Sequence, residues 1–228
     1  MTFPPLGQGI VNEAIVEPDE ILASTSGSEK LPGGVIIGGG VRVRETRVGE
    51  ILARLTADVV DVGDLGQFIP RKSTENSATV ATGQADVTVD DAHPFAVGDV
   101  ILVDDGADAM DAATISAINY VTNVITVSAN FANGTNPQPV NSRVSVIASG
   151  QQNANGIAAE RYTPNVTLTG ITGRTSMYIG GLFKLAQLKG SADGLDTHAR
   201  SAFAAATAED ITAPEGSVVR VRLGDPTA

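Results

Sequence analysis

The feature that most constrains this chain is a series of short apolar runs that alternate at period two and stop at turn residues before any can lengthen. Between residues 77 and 147 they read ADVTVDD, FAVGDVILVDDG, ATISAINYVTNVITVSANF and SRVSVIAS. Turn signals separate them at His93-Pro94, at Asp104-Asp105-Gly106 and from Tyr120 to Asn123. Alternation of this kind puts one face of an extended strand in a core and the other in water. In the third run, Ile115, Ile118, Val124, Ile125 and Val127 are spaced as the two arms of a hairpin. Polar text bounds the whole segment, KSTENS before it and GQQNANG after it. That is the pattern of an inserted unit, whose two ends must lie close together on a host.

The flanking text is built differently but also reads as strands. Val41 and Val43 alternate with Arg42 and Arg44, which predicts a strand over VRVR. TRVGEILARLTADVVDVGDLGQFIP fits short strands broken at Gly63 and Gly66, with EILARL ambiguous between strand and helix. Beyond Gly156, GIAAERYTPNVTLTG and TSMYIGGLFKLAQLKG are strand-like, and GSVVRVRLGD alternates as a closing strand. One helix is predicted within DGLDTHARSAFAAATAEDI. Leu195, Ala199, Ala202, Phe203 and Ala206 share a face there, and Asp193 or Asp196 can serve as N-cap. The expected fold class is mainly β with one short C-terminal α-helix.

Composition narrows the function classes. The chain has 228 residues, enough for one sizeable core or a core plus a smaller module. Aromatic residues are scarce at 4%, with no Trp, so the interior is expected to be built mostly from Val, Ile, Leu and Ala. A formal charge of −11 with scattered Lys and Arg argues against a nucleic-acid partner, because a phosphate backbone needs clustered cations. The absence of cysteine excludes disulfides, thiolate metal sites and a cysteine nucleophile. MTFPPLGQGIVNE has neither a basic start nor an apolar run, and no stretch approaches the roughly 18–20 apolar residues that cross a bilayer. Synthesis in a cytoplasm, with no membrane partner, is the expectation.

Candidate chemical sites are few. LPGGVIIGGGVRVRE concentrates Gly33, Gly34, Gly38, Gly39 and Gly40. A phosphate-cradling loop must open a helix whose N–H groups face the phosphate, and here the following text reads as a strand. These glycines are read instead as a hinge, where positive φ carries little steric cost. The acidic run DDGADAMD (Asp104, Asp105, Asp108, Asp111) lacks EF-hand spacing and reads as a solvated turn. His93 and His198 lie far apart, and no GxSxG or HExxH motif accompanies them. A carboxylate pair for glycoside hydrolysis lacks aromatic sugar platforms, with no Trp and three Tyr. We therefore expect no catalytic residue, cofactor or metal, and no enzymatic activity.

Several stretches, in order, resemble the lambda-type head decoration proteins, the small capsid cement proteins of tailed bacteriophages. TRVGEILARLT resembles that family's early "GTVLGKIT"-like segment, FIPRKS its "KYVPYD"-like stretch and GIAAE its G-I-L-A-E strand. YIGGLFKLAQL is similar to the strand before the family's Ala-rich helix, and GSVVRVR to its closing strand. The likeness covers roughly residues 34–72 and 154–223. DVTVDDAHPFAVGDVILVDDG is similar to small β-barrel modules of phage virion proteins.

The resemblance implies an N-terminal capsid-binding arm over 1–33, a discontinuous β core over 34–76 and 148–228, and an inserted small β, barrel-like domain over 77–147. It implies a homotrimer at three-fold and quasi-three-fold positions of an expanded capsid, on the outer surface of the virion. The major capsid protein would be the partner, and apolar anchors of the arm would be Phe3, Ile10, Ile15, Val16, Ile21 and Leu22. The alternative expectation is a virion-surface or tail adhesin that binds a host glycan through 77–147.

Overall fold

A computed structural model describes residues 22–31, 33–107, 109–131, 137–163, 173–184, 187–189, 209–213 and 216–222. The predicted helix, His198, Asp108 and the arm positions Phe3, Ile10, Ile15, Val16 and Ile21 lie outside them. Strands dominate the described residues, so the fold is mainly β. The chain opens with β1 (Leu22–Lys30), β2 (Val35–Ile37), β3 (Ile51–Arg54) and β4 (Phe68–Pro70). Six follow: β5 (Ser73–Glu75), β6 (Asp86–Thr88), β7 (Val100–Asp104), β8 (Ala113–Asn119), β9 (Val124–Val127) and β10 (Arg143–Ser145). The last are β11 (Gly156–Ala158), β12 (Gly173–Thr175), β13 (Met177–Lys184), β14 (Glu209–Ala213) and β15 (Gly216–Arg222).

The middle six make a sheet of their own, ordered β5-β10-β7-β8-β9-β6. Its centre is the hairpin read from the sequence: β8 and β9 pair antiparallel, with Ile118 opposite Ile125. The turn between them closes at Asn123, with φ 53°. The sheet curls until its two ends meet, because Ser77 N–H donates to the Thr88 carbonyl and Asp90 N–H to the Glu75 carbonyl, each at 2.9 Å. Inside lies one cluster that includes Val87, Phe95, Ile101, Val103, Ile115, Ile125 and Phe131. Each of these is the inward member of an alternating or turn-bounded run.

The first four and last five strands make the second sheet, ordered β12-β2-β4-β3-β11-β13-β15-β14, with β1 on the remaining edge of β13. Its apolar residues fall in two clusters. One joins Ile37, Leu52, Ile69 and Met177, and the other joins Leu22, Ile51, Ile157, Tyr178 and Phe183. β1 pairs irregularly: the five steps from Ser24 to Glu29 oppose two steps on β13, from Leu182 to Gly180. Leu22 anchors one end among the buried residues, and the Lys30 ammonium lies 5.0 Å from the Tyr178 ring centroid at the other.

Two local readings need correction. VRVR is not a strand; residues 40–45 run as turns and irregular backbone. Gly40 and Arg42 donate their N–H groups to Val62 and Asp61 carbonyls, which holds the segment in a bend rather than in a ladder. The polar text KSTENS, read as a boundary, contains β5. Ser73, Thr74 and Glu75 are buried, and the strand pairs with β10. Its polarity hid it, because burial here is set by hydrogen-bonded neighbours rather than by apolar side chains.

Candidate functional site

The chain passes between the sheets twice, and the two passages touch. Lys72 N–H donates to the Gln151 carbonyl at 2.8 Å, and Val146 N–H donates to the Lys72 carbonyl at 3.0 Å. Residues 73–145 therefore leave and return at one place.

Around this junction the sheets meet through charged groups rather than through apolar ones. Lys72 and Asp99, each 1% exposed, form the centre. The ammonium donates to both Asp99 oxygens at 2.8 and 2.7 Å and to the Arg42 carbonyl at 3.1 Å, so all three of its protons are used. Asp99 also accepts from Ala96 N–H at 2.9 Å. Burial pulls the Lys72 ammonium below its ordinary pKa, and the Asp99 carboxylate opposes that pull. The Arg42 guanidinium donates to Gly98 and Val60 carbonyls at 3.0 and 2.5 Å and lies 3.6 Å from Asp99.

Further along the same segment, Arg44 stacks 4.4 Å over the Tyr120 ring, whose hydroxyl donates to the Phe95 carbonyl at 3.0 Å. Arg47 grips buried Glu50 through two bonds of 2.5 and 3.0 Å and reaches Asp91 at 2.5 Å. Burial lifts the Glu50 carboxyl above its ordinary pKa, against the pull of Arg47, and the two carboxylates hold the Arg47 guanidinium firmly protonated. Glu45 takes a hydrogen bond from exposed Arg161 at 2.7 Å, and that bond is the main cause of its lowered pKa.

The arginines of VRVRE thus serve as connectors between sheets. Sequence reading missed Arg42, Arg44, Arg47, Lys72, Asp91 and Asp99 as a group. The alternation suggested that Arg42 and Arg44 faced solvent, and nothing local pairs Lys72 with a carboxylate 27 positions away.

The residues singled out from the sequence do not converge on one site. Gly33 and Gly34 form the turn into β2, with φ of 79° and 67°. Gly38 and Gly40 are places of close approach: a Cβ on Gly40 would lie 2.1 Å from the Asp61 carbonyl atoms. Gly39 is buried beside them. Asp104 and Asp105 accept from the N–H groups of Gly106 and Ala107, at 2.7 and 2.8 Å, and Asp104 also pairs with Arg143 at 3.2 Å. The His93 ring Nε2 lies 2.9 Å from the Glu45 carbonyl, and the His93 backbone N–H donates to Asp91 at 3.0 Å. It belongs to the junction. Among the described residues no three His, Asp or Glu side chains are grouped to hold a metal ion, and no helix is long and apolar enough to cross a membrane. Comparison of the chain with protein-family models, with curated proteins and with solved structures found no match.

Proposed function

We propose that this chain is a non-enzymatic capsid decoration protein of a tailed phage. It would act as a homotrimer on the outer face of the mature head, bound to the major capsid protein. One observation carries the reading. The five stretches that resemble the decoration family lie on β3, β4, β11, β13 and β15, and in space these are consecutive neighbours, β4-β3-β11-β13-β15. Scattered chance likenesses would have no reason to form one continuous run of a sheet.

In this reading residues 1–33 are the capsid-binding arm. Leu22–Lys30 pairs with β13 of the same chain and buries Leu22 there. This part would root the arm, and the residues before it would pair with the capsid, backbone to backbone along a strand edge. Residues 77–147 are an inserted barrel-like domain. Its support is the junction at Lys72, Val146 and Gln151 and the closure of the sheet at Ser77–Thr88 and Glu75–Asp90. The single helix would fall within DGLDTHARSAFAAATAEDI, ahead of β14. Stabilisation of the head would follow from mass action: a protein that binds only the expanded lattice shifts the equilibrium against rupture. Three arms per trimer would add avidity.

The test is to add purified protein to expanded, undecorated capsids and to unexpanded ones and count bound copies. Saturable binding to expanded capsids alone, with raised resistance to heat or chelator, is expected. Equal binding to both forms, or to neither, overturns the proposal.

A further inference from the structure

The loop between β3 and β4 displays apolar side chains that the fold does not use. Val60 is 80% exposed, Leu65 further along the loop is 64% exposed, and Val41, which shares a groove with Val60, is 52% exposed. Val60 and Val41 line a groove of about 300 Å³ together with Gly39, Gly40 and Val59. An apolar group at a loop tip ordinarily relaxes toward the protein or gives way to a polar residue. Here the backbone prevents it. Three successive carbonyls, of Val60, Asp61 and Val62, accept from the Arg42 guanidinium, Arg42 N–H and Gly40 N–H at 2.5, 2.8 and 3.1 Å. Val59 and Gly63 exchange both of their backbone bonds across the tip, at 2.8 and 3.0 Å. Asp61 turns the tip at φ 63°, a left-handed conformation that Asp adopts more readily than most L-residues. The tip is preorganised, so a partner binding it orders little that is not already ordered.

The charge around the groove selects the partner. Asp58, Asp61 and Asp64 line the groove with Val60, no Lys or Arg is among its lining residues, and Arg42 beside it is engaged by Val60, Gly98 and Asp99. The mouth is therefore negative, and the chain as a whole carries −11. A second copy would bring the same acidic rim and be repelled. We infer that this groove docks an aliphatic side chain flanked by Lys or Arg, on an extended segment of a different protein. Apolar contact with Val60 and Val41 provides the binding energy, and the aspartates choose the sign of the flanks.

The experiment is an NMR titration of the full chain, ¹⁵N-labelled, with a blocked Gly-Lys-Val-Leu-Lys-Gly peptide and with its Glu-for-Lys counterpart. The expected result is a saturable shift confined to amides of residues 40–42 and 58–67, seen with the lysine peptide alone. Val60→Ser, an exposed change that leaves the core intact, should weaken binding about tenfold. D58N/D61N/D64N, which keeps an acceptor oxygen at each position, should weaken it and flatten its salt dependence. Two outcomes overturn the inference. One is a diffuse, non-saturating shift over the acidic surface that Val60→Ser does not change. The other is self-association abolished by Val60→Ser, which would make a second copy the occupant.

Discussion

The two sheets solve the same problem in opposite ways. The six-stranded sheet comes from one continuous stretch, pairs neighbours through a hairpin, and encloses a single apolar cluster. The nine-stranded sheet gathers strands from both ends of the chain, includes the parallel pair β2–β4, and divides its apolar residues between two clusters. Its central strand β13 carries Gly180 and Gly181 and pairs with three other strands. Local pairing needs only matched alternation and a turn, whereas the larger sheet depends on contacts that close long loops. What couples them is a charged junction, and polar junctions of this kind hold position while adding little apolar stabilisation.

That contrast can be broken at its most sensitive point. Lys72→Met leaves Asp99 buried beside a less well placed Arg42, and should lower stability by about 3–5 kcal/mol in urea unfolding. K72M/D99N, which removes both charges and keeps an acceptor for Ala96 N–H, should recover more than half of that loss. If the double variant is no better than the single, the junction is not held by the pair.

Core truncation asks how separable the sheets are. Phe131→Ala should cost about 3–5 kcal/mol and Leu52→Ala about 2–5 kcal/mol, since both side chains are fully buried. Hydrogen exchange should show F131A speeding amides of β7, β8 and β9 while β3 and β13 keep their protection, with L52A doing the reverse. Uniform acceleration in both sheets would mean that they unfold as one unit.

A smaller effect distinguishes packing glycines from turn glycines. Gly40→Ala drives a methyl into the Asp61 carbonyl and should cost about 1–3 kcal/mol, with shifts of the 58–64 loop in NMR spectra. Gly83→Ala, at φ 83° with open space around it, should cost about 1 kcal/mol and leave that loop unmoved. The smallest effect is electrostatic. The Arg161 hydrogen bond holds the Glu45 carboxyl below its ordinary pKa, so the stabilisation it brings is present above the unfolded value and is lost as pH falls through the folded one. Arg161→Gln should move the Glu45 midpoint upward in a ¹³C titration and leave the fold unchanged.

Legibility followed the same division. β6 to β10 were readable from alternation and turn residues, because each of these runs buries its own apolar face, and the closing strand β15 was readable from its alternation. β5 was not, since Ser73, Thr74 and Glu75 offer no apolar signal. VRVR misled for the converse reason: only Val43 of its valines is buried, and its arginines turn toward the six-stranded sheet. β14 was also unforeseen, its EDITA text lying at the end of the segment read as helix-bearing. Of the candidate residues, the glycines of 33–40 were found but their division into turn and packing positions was not.

The sequence alone determined that this chain is built of short strands, where the hairpin of the middle segment turns, and that its interior is built mostly from Val, Ile, Leu and Ala. Those properties follow from side-chain period and turn chemistry, which act over a few residues. Tertiary structure alone decided which distant strands are neighbours, that Lys72 finds Asp99, and that Val60 is pinned outward at an acidic groove. Backbone hydrogen bonds carry no label for a distant partner, and the state of a charge depends on what the fold places beside it.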